Sequence, residues 1–261
     1  MRTRALLVSA VSGLLACGGG GGASPEDQLR RAVIEFNGHV VIMKNTFDFT
    51  DHRDVASVVR EQDGVVGATP FAFAEGVIHF RGKSEAMAVK GIAVDDTPVG
   101  RRITPPGVLA GYRPPARPAD DEPIDFSSAE EPRAAPVHVV MGAKLARELG
   151  VQIGDVVDLV IPAPPDPVTW KQDAPPLRHQ LRVVGTIEIL EYEQRMALAT
   201  FEAVQAMLGQ GDRAMGVEVR IADERAAARV AGALRERLGP RYTVLDWCEL
   251  NRDALRCKLE P

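Results

Sequence analysis

The chain has 261 residues with 45% hydrophobic but only 5% aromatic content, enough apolar material for one large domain or two small ones with real cores. Its 31 Lys and Arg against 36 Asp and Glu give a formal net charge of -5, and no basic cluster interleaves with aromatic residues, so composition argues against a nucleic-acid partner. No stretch after Cys17 is long and apolar enough to span a bilayer, which predicts a soluble mature body.

The first element is "MRTRALLVSAVSGLLACGGGGG". Arg2 and Arg4 precede an apolar run from Ala5 to Ala16, which as a helix rising ~1.5 Å per residue would cover roughly 18 Å of a hydrocarbon core about 30 Å thick. The run is too short to span, and it has the layout of a bacterial export signal over residues 1–16. Leu14, Leu15, Ala16 and Cys17 resemble a lipobox, which implies lipidation of Cys17; an ordinary cleaved signal is the competing reading. Gly18 to Gly22 then read as a flexible tether within residues 17–28. Gly18 stands where enteric lipoproteins retained in the inner membrane have Asp, so the outer membrane is the favoured destination in the periplasm.

Further along, "EDQLRRAVIEF" has helical spacing and leads into the β-rich "GHVVIMK". "DHRDVASVVREQDG" predicts a helix stopping at Gly64, and "VVGATPFAFAEGVIHFRG" one or two strands with Gly76 at a hairpin or bulge. A second β-α-β unit comes from "GVEVRI", the helix "ADERAAARVAGALRERLG" capped by Asp223 and ended by Gly239-Pro240, and "RYTVLDW". Between the two units lie a helix at about 142–149, a strand at 156–161, two further strands in "HQLRVVGTIEILEYEQRMALAT" and the short helix "FEAVQAMLG". The expected fold class is therefore α+β: a split βαβ porter-like subdomain, about 37–90 and 214–247, with an inserted mostly-β subdomain at about 91–213, all within residues 29–261. Residues 98–136 hold nine prolines and read as irregular; residues 162–179 form a second proline-rich loop, set between two strands.

No nucleophile elbow, phosphate loop, zinc motif or signature carboxylate pair stands out, so the sequence predicts no catalytic residue, no metal, no cofactor and no enzymatic activity. Cys248 and Cys257 lie nine apart in "LDWCELNRDALRCKLEP". Read as one amphipathic helix, that stretch separates them by roughly 13 Å, beyond disulfide reach, and predicts thiols that are unpaired or paired between molecules.

The phrases "EFNGHVVIM", "VKGIAVDD", "VVMGAKLARELGVQIGDVVDLVIP", "LRVVGTIEILEYEQRMALAT" and "VLDWCELNRDAL" together resemble the periplasmic domain of the LolC/LolE lipoprotein-releasing permeases, part of the MacB-like periplasmic core family of FtsX-type ABC permeases. The resemblance covers about residues 29–260 and implies a porter-type part with a mostly-β insertion. It also implies a function. In the lipoprotein-releasing permease that recruits the periplasmic chaperone, a protruding loop called the hook does the docking, and the matching stretch here carries Pro165, Val168, Trp170, Lys171, Pro175 and Pro176. Proline lowers the entropy lost on docking and tryptophan is a frequent interface anchor, though a Trp170 folded back on the domain is the alternative. Family members carry membrane helices flanking this domain, and the sequence shows none in those places. The implied role is a tethered, non-enzymatic accessory domain of ABC-type envelope transport, related to lipoprotein release or trafficking, whose partner is a lipoprotein chaperone or an ABC permease component. The alternative is a membrane-anchored structural remnant of a permease.

Overall fold

A computed structural model describes residues 37–46, 48–93, 135–162, 175–188 and 195–251. In chain order the elements are β1 (Val40–Lys44), α1 (His52–Arg60), β2 (Val65–Phe80), β3 (Lys83–Ile92), β4 (Val137–Gly142), α2 (Ala143–Leu149) and β5 (Val156–Ile161). There follow β6 (Leu177–Ile187), β7 (Met196–Thr200), α3 (Phe201–Leu208), β8 (Gly216–Ile221), a 3-10 turn (Glu224–Ala226), α4 (Ala227–Leu238), β9 (Tyr242–Asp246) and the short α5 (Trp247–Leu250).

Two cores organise these elements. The first half of β2, with β8, β1 and β9, makes an antiparallel sheet in which β8 is flanked by β2 and β1, and β1 by β8 and β9. Val40, Ile42, Ala68, Val217, Val219 and Val244 project from one face of it onto Val55, Ala56 and Val59 of α1 and Val230, Ala231 and Leu234 of α4. Each helix turns its buried residues to one side at the three- and four-residue spacing of an amphipathic helix.

After Phe71 the same strand β2 leaves this sheet and continues into another. There β2 pairs with β3, β3 with β7, β7 with β4, β4 with β6, β6 with β5, and β5 again with β2. The ring closes into a six-stranded barrel, so none of its strands presents an open edge. Alternate residues point inward, among them Ile78, Val89, Val139, Leu159, Leu181, Val183 and Ala197, while Leu145 and Leu149 of α2 and Phe201, Val204 and Met207 of α3 join the same core. The helix termini follow their residues: Thr200 Oγ1 accepts the Ala203 N–H at 3.2 Å to open α3, and Gly150 and Gly209 close α2 and α3 in the left-handed region at φ 76° and 62°.

Four expectations need correction. Residues 72–80 and 83–92 belong to the barrel, so the span 37–90 assigned to the porter-like part divides inside β2. Gly76 marks no turn, because β2 runs unbroken through it and the hairpin turn falls at Arg81 and Gly82, both at positive φ. Asp223 caps the 3-10 turn through the Arg225 N–H at 3.0 Å, and the α-helix begins only at Ala227. Finally, Cys248 is disulfide-bonded, its other half lying outside the described residues. The long helix expected across Cys248 ends at Leu250, where Asn251 adopts φ -111°, and the separation estimated for a continuous helix does not apply.

The start and end of the described body meet. Trp247 N–H donates to the His39 carbonyl at 2.9 Å, and Val40 is paired with Asp246. Among the described residues no helix is long and apolar enough to cross a membrane.

Candidate functional site

The hook-like stretch is shorter than the 162–179 expected, because residues 177–179 belong to β6, which pairs Leu177 with Ile161, Arg178 with Val160 and His179 with Leu159. The loop therefore leaves from a hydrogen-bonded hairpin root. Pro162, Pro175 and Pro176 flank that root and are exposed. Pro165, Val168, Trp170 and Lys171 lie outside the described residues, as does Cys17.

The root is braced on two sides. Toward β2, a Cβ built on Gly76 would stand 2.3 Å from the Val160 carbonyl oxygen, so β5 approaches the backbone of β2 as closely as glycine allows. Toward the helical side, the half-buried His179 shares a hydrogen bond between its Nε2 and the Met207 carbonyl at the end of α3, 2.9 Å away. Because a carbonyl only accepts, Nε2 carries the hydrogen. Burial pushes the His179 pKa down, with the Met207 carbonyl opposing. α3 is itself seated on the barrel at Gly91, whose Cβ position is 2.9 Å from Val204 and 3.1 Å from Phe201.

Two polar clusters escaped the sequence reading, one buried and one in which a buried histidine meets a half-exposed carboxylate. Lys90 Nζ, fully buried, donates to Glu218 Oε1 at 2.7 Å and to Asn37 Oδ1 at 2.8 Å. His52, also fully buried, places Nε2 3.0 Å from Asp212 Oδ1. Gln205 Nε2 donates to the same oxygen at 3.1 Å, and Arg53 pairs with the other. Burial pushes the Asp212 carboxyl up, but the hydrogen bonds from Gln205, His52 and Arg53 outweigh that and hold it below the usual range. The first cluster is sealed from solvent, whereas Asp212 in the second keeps 48% of its side chain exposed. Among the described residues no three His, Cys, Asp or Glu side chains converge as metal ligands.

The described body thus combines a braced hairpin on a closed barrel with a sheet in which its first and last strands pair. Sequence comparison places such a body in the class of periplasmic domains carried by membrane permeases. The chain belongs to the MacB-like periplasmic core domain family, whose profile matches residues 5–237. It is 23% identical over 228 residues to the lipoprotein-releasing system transmembrane protein LolC of Xylella fastidiosa, a match covering 87% of this chain and 50% of LolC. The chain thus spans about half the length of that curated relative. Among solved structures, the periplasmic region of MacB from Actinobacillus actinomycetemcomitans aligns with TM-score 0.45 and 13% identity, covering 84% of this chain and 94% of that one. The extracellular domain of the noncanonic ABC-type transporter YknZ from Gram-positive bacteria aligns with TM-score 0.42 and 13% identity, covering 79% and 99% respectively.

Proposed function

We propose that this chain is a non-enzymatic periplasmic binding domain of ABC-type envelope transport, tied to lipoprotein release or trafficking, that engages its partner through the loop between β5 and β6. The observation carrying this reading is the braced hairpin root: the β5–β6 pairing, the contact at Gly76 and the His179 bond to Met207 give the loop a fixed point of departure. A loop held at its base and rich in proline loses less entropy on binding than a free one. Within it, Trp170 is the anchor, flanked by Val168 and Lys171, and Pro165, Pro175 and Pro176 stiffen its two limbs. The partner is a periplasmic lipoprotein chaperone or an ABC permease component. Lipid on Cys17 holds the chain to the envelope, through the glycine tether, with the outer membrane favoured. The porter-like part lies in the four-stranded sheet and the inserted part in the barrel.

The test is affinity capture from the native envelope with the intact chain, with Trp170→Ala, and with Pro165 to Pro176 replaced by a short Gly-Ser turn. The intact chain recovers a lipoprotein chaperone or permease component, the turn variant loses it, and Trp170→Ala retains a tenth or less, since anchor truncations cost about 2 kcal/mol or more. Equal recovery by all three forms, or recovery by none, rejects the hook and leaves the anchored remnant. In parallel, Cys17→Ser moves the protein from the membrane to the soluble fraction; unchanged membrane association would reject the lipid anchor.

A further inference from the structure

Among the described residues the chain passes between sheet and barrel twice, and a charged cluster sits on each passage. The first passage is β2 between Phe71, the last residue paired with β8, and Ala72, the first paired with β3. The Lys90 ammonium lies 5.8 Å from the ring centroids of both Phe71 and Phe73 and so straddles that point. From barrel strand β3 it reaches Glu218 on sheet strand β8 and Asn37 in the segment leading into β1. The second passage runs between α3 and β8. Asp212 stands in it, held from the sheet side by His52 and Arg53 of α1 and from the barrel side by Gln205 of α3. Gln205 Nε2 also donates to the Arg213 carbonyl at 3.0 Å, and the Phe49 carbonyl, before α1, accepts the Ala214 N–H at 3.0 Å. The His52 ring presents its edge between Phe49 and Phe201, one from each part.

The clusters occupy opposite faces of the four-stranded sheet. Val217 and Val219 point into the helix-side core, so Glu218 and Lys90 lie on the other face, whereas His52 belongs to a helix of the covered face. Apolar contact alone is non-directional and tolerates sliding. A buried ammonium does not. Any rotation that draws Lys90 from Glu218 breaks a buried ion pair of 2.7 Å in a dry setting.

We propose that the Lys90–Glu218 and His52–Asp212 pairs are two orientation bolts that lock the barrel against the sheet as one rigid body, one bolt on each chain passage. This rests on the fold and not on the docking reading above. Removing both members of a bolt, in favour of uncharged residues of similar size, preserves folding but frees the angle between the parts.

The experiment places spin labels on ketone-bearing residues introduced at Ser84 in β3 and Glu236 in α4 of the full chain, which leaves the cysteines untouched, and records the distance distribution between them. Lys90→Met with Glu218→Leu keeps a cooperative melt and broadens the distribution roughly twofold; adding His52→Phe with Asp212→Asn broadens it further. Lys90→Met alone melts at lower temperature than the Lys90→Met, Glu218→Leu pair, because it strands a buried carboxylate. If the first pair prevents folding, His52→Phe with Asp212→Asn is measured by itself, and broadening is again expected. A folded variant with the wild-type distance distribution overturns the proposal and assigns the orientation to β2 and apolar packing.

Discussion

At the residue scale, most buried polar side chains of the described residues have named partners, the exceptions being the Nδ1 atoms of His52 and His138. Tyr242 shows how far a setting moves a group: burial first, then the Asp51 carboxylate that accepts its hydroxyl at 2.6 Å, push its pKa from 10.0 to about 12. Lys44 holds the other Asp51 oxygen at 2.9 Å. The unfolded phenol ionises near 10 and the folded one later, so the stability it contributes is complete below pH 10 and drains away as pH climbs toward 12. Spectrophotometric titration of the tyrosines should show one late component near pH 12, and Asp51→Asn should draw it back toward 10. Absence of the late component in the native chain would contradict the hydrogen bond. Lys90 was illegible in the sequence for a related reason. A lysine in an alternating strand looks like the solvent face, and only the second sheet crossing its path makes that face interior.

At the scale of elements, the contact of β5 with β2 makes a sharp prediction. Gly76→Ala puts a methyl group where Val160 carbonyl oxygen leaves no room, and neither strand is free to retreat without losing its barrel pairing. We expect a loss of about 1–3 kcal/mol, the usual range for overpacking, read from the midpoint of urea unfolding. Gly67→Ala in the same strand meets only Arg220 Cβ at 3.9 Å and should cost much less. Strands and helices were largely readable from periodicity: the run 156–161 and the helix 201–208 sit where the pattern placed them, while the helix expected to stop at Gly64 ends at Arg60. What the pattern did not carry was the change of sheet in β2. Ala68, Ala72, Ala74 and Ile78 keep one inward face throughout, so the residue alternation is the same on both sides of the passage. Of the candidate site, periodicity located the hairpin and its prolines, while the bracing by Gly76 and His179 depends on partners distant in sequence.

At the scale of the molecule, each part contains one histidine that resists protonation. His39, beside the sheet, has its pKa lowered by burial and then by Arg220, with Glu224 opposing, and its Nδ1 accepts the Ile221 N–H at 3.0 Å. His179, on the barrel, is lowered by burial. In both cases the unfolded chain binds a proton near 6.5 that the folded chain refuses, so the stability they confer is present above that pH and is lost as pH falls below it. Melting temperature should therefore drop between neutral pH and about pH 5, and His39→Asn with His179→Gln should flatten that slope. An unchanged slope in the double variant would assign the acid sensitivity to other groups.

The hydrogen bond between Trp247 and the His39 carbonyl has an engineering consequence. Because the described body opens and closes at neighbouring residues, it is shaped as a cassette: two short linkers suffice to graft it into a surface loop of an unrelated host without parting β1 from β9. The same closeness permits joining the ends and opening the chain elsewhere, so the order of parts along the polypeptide is separable from their arrangement in space.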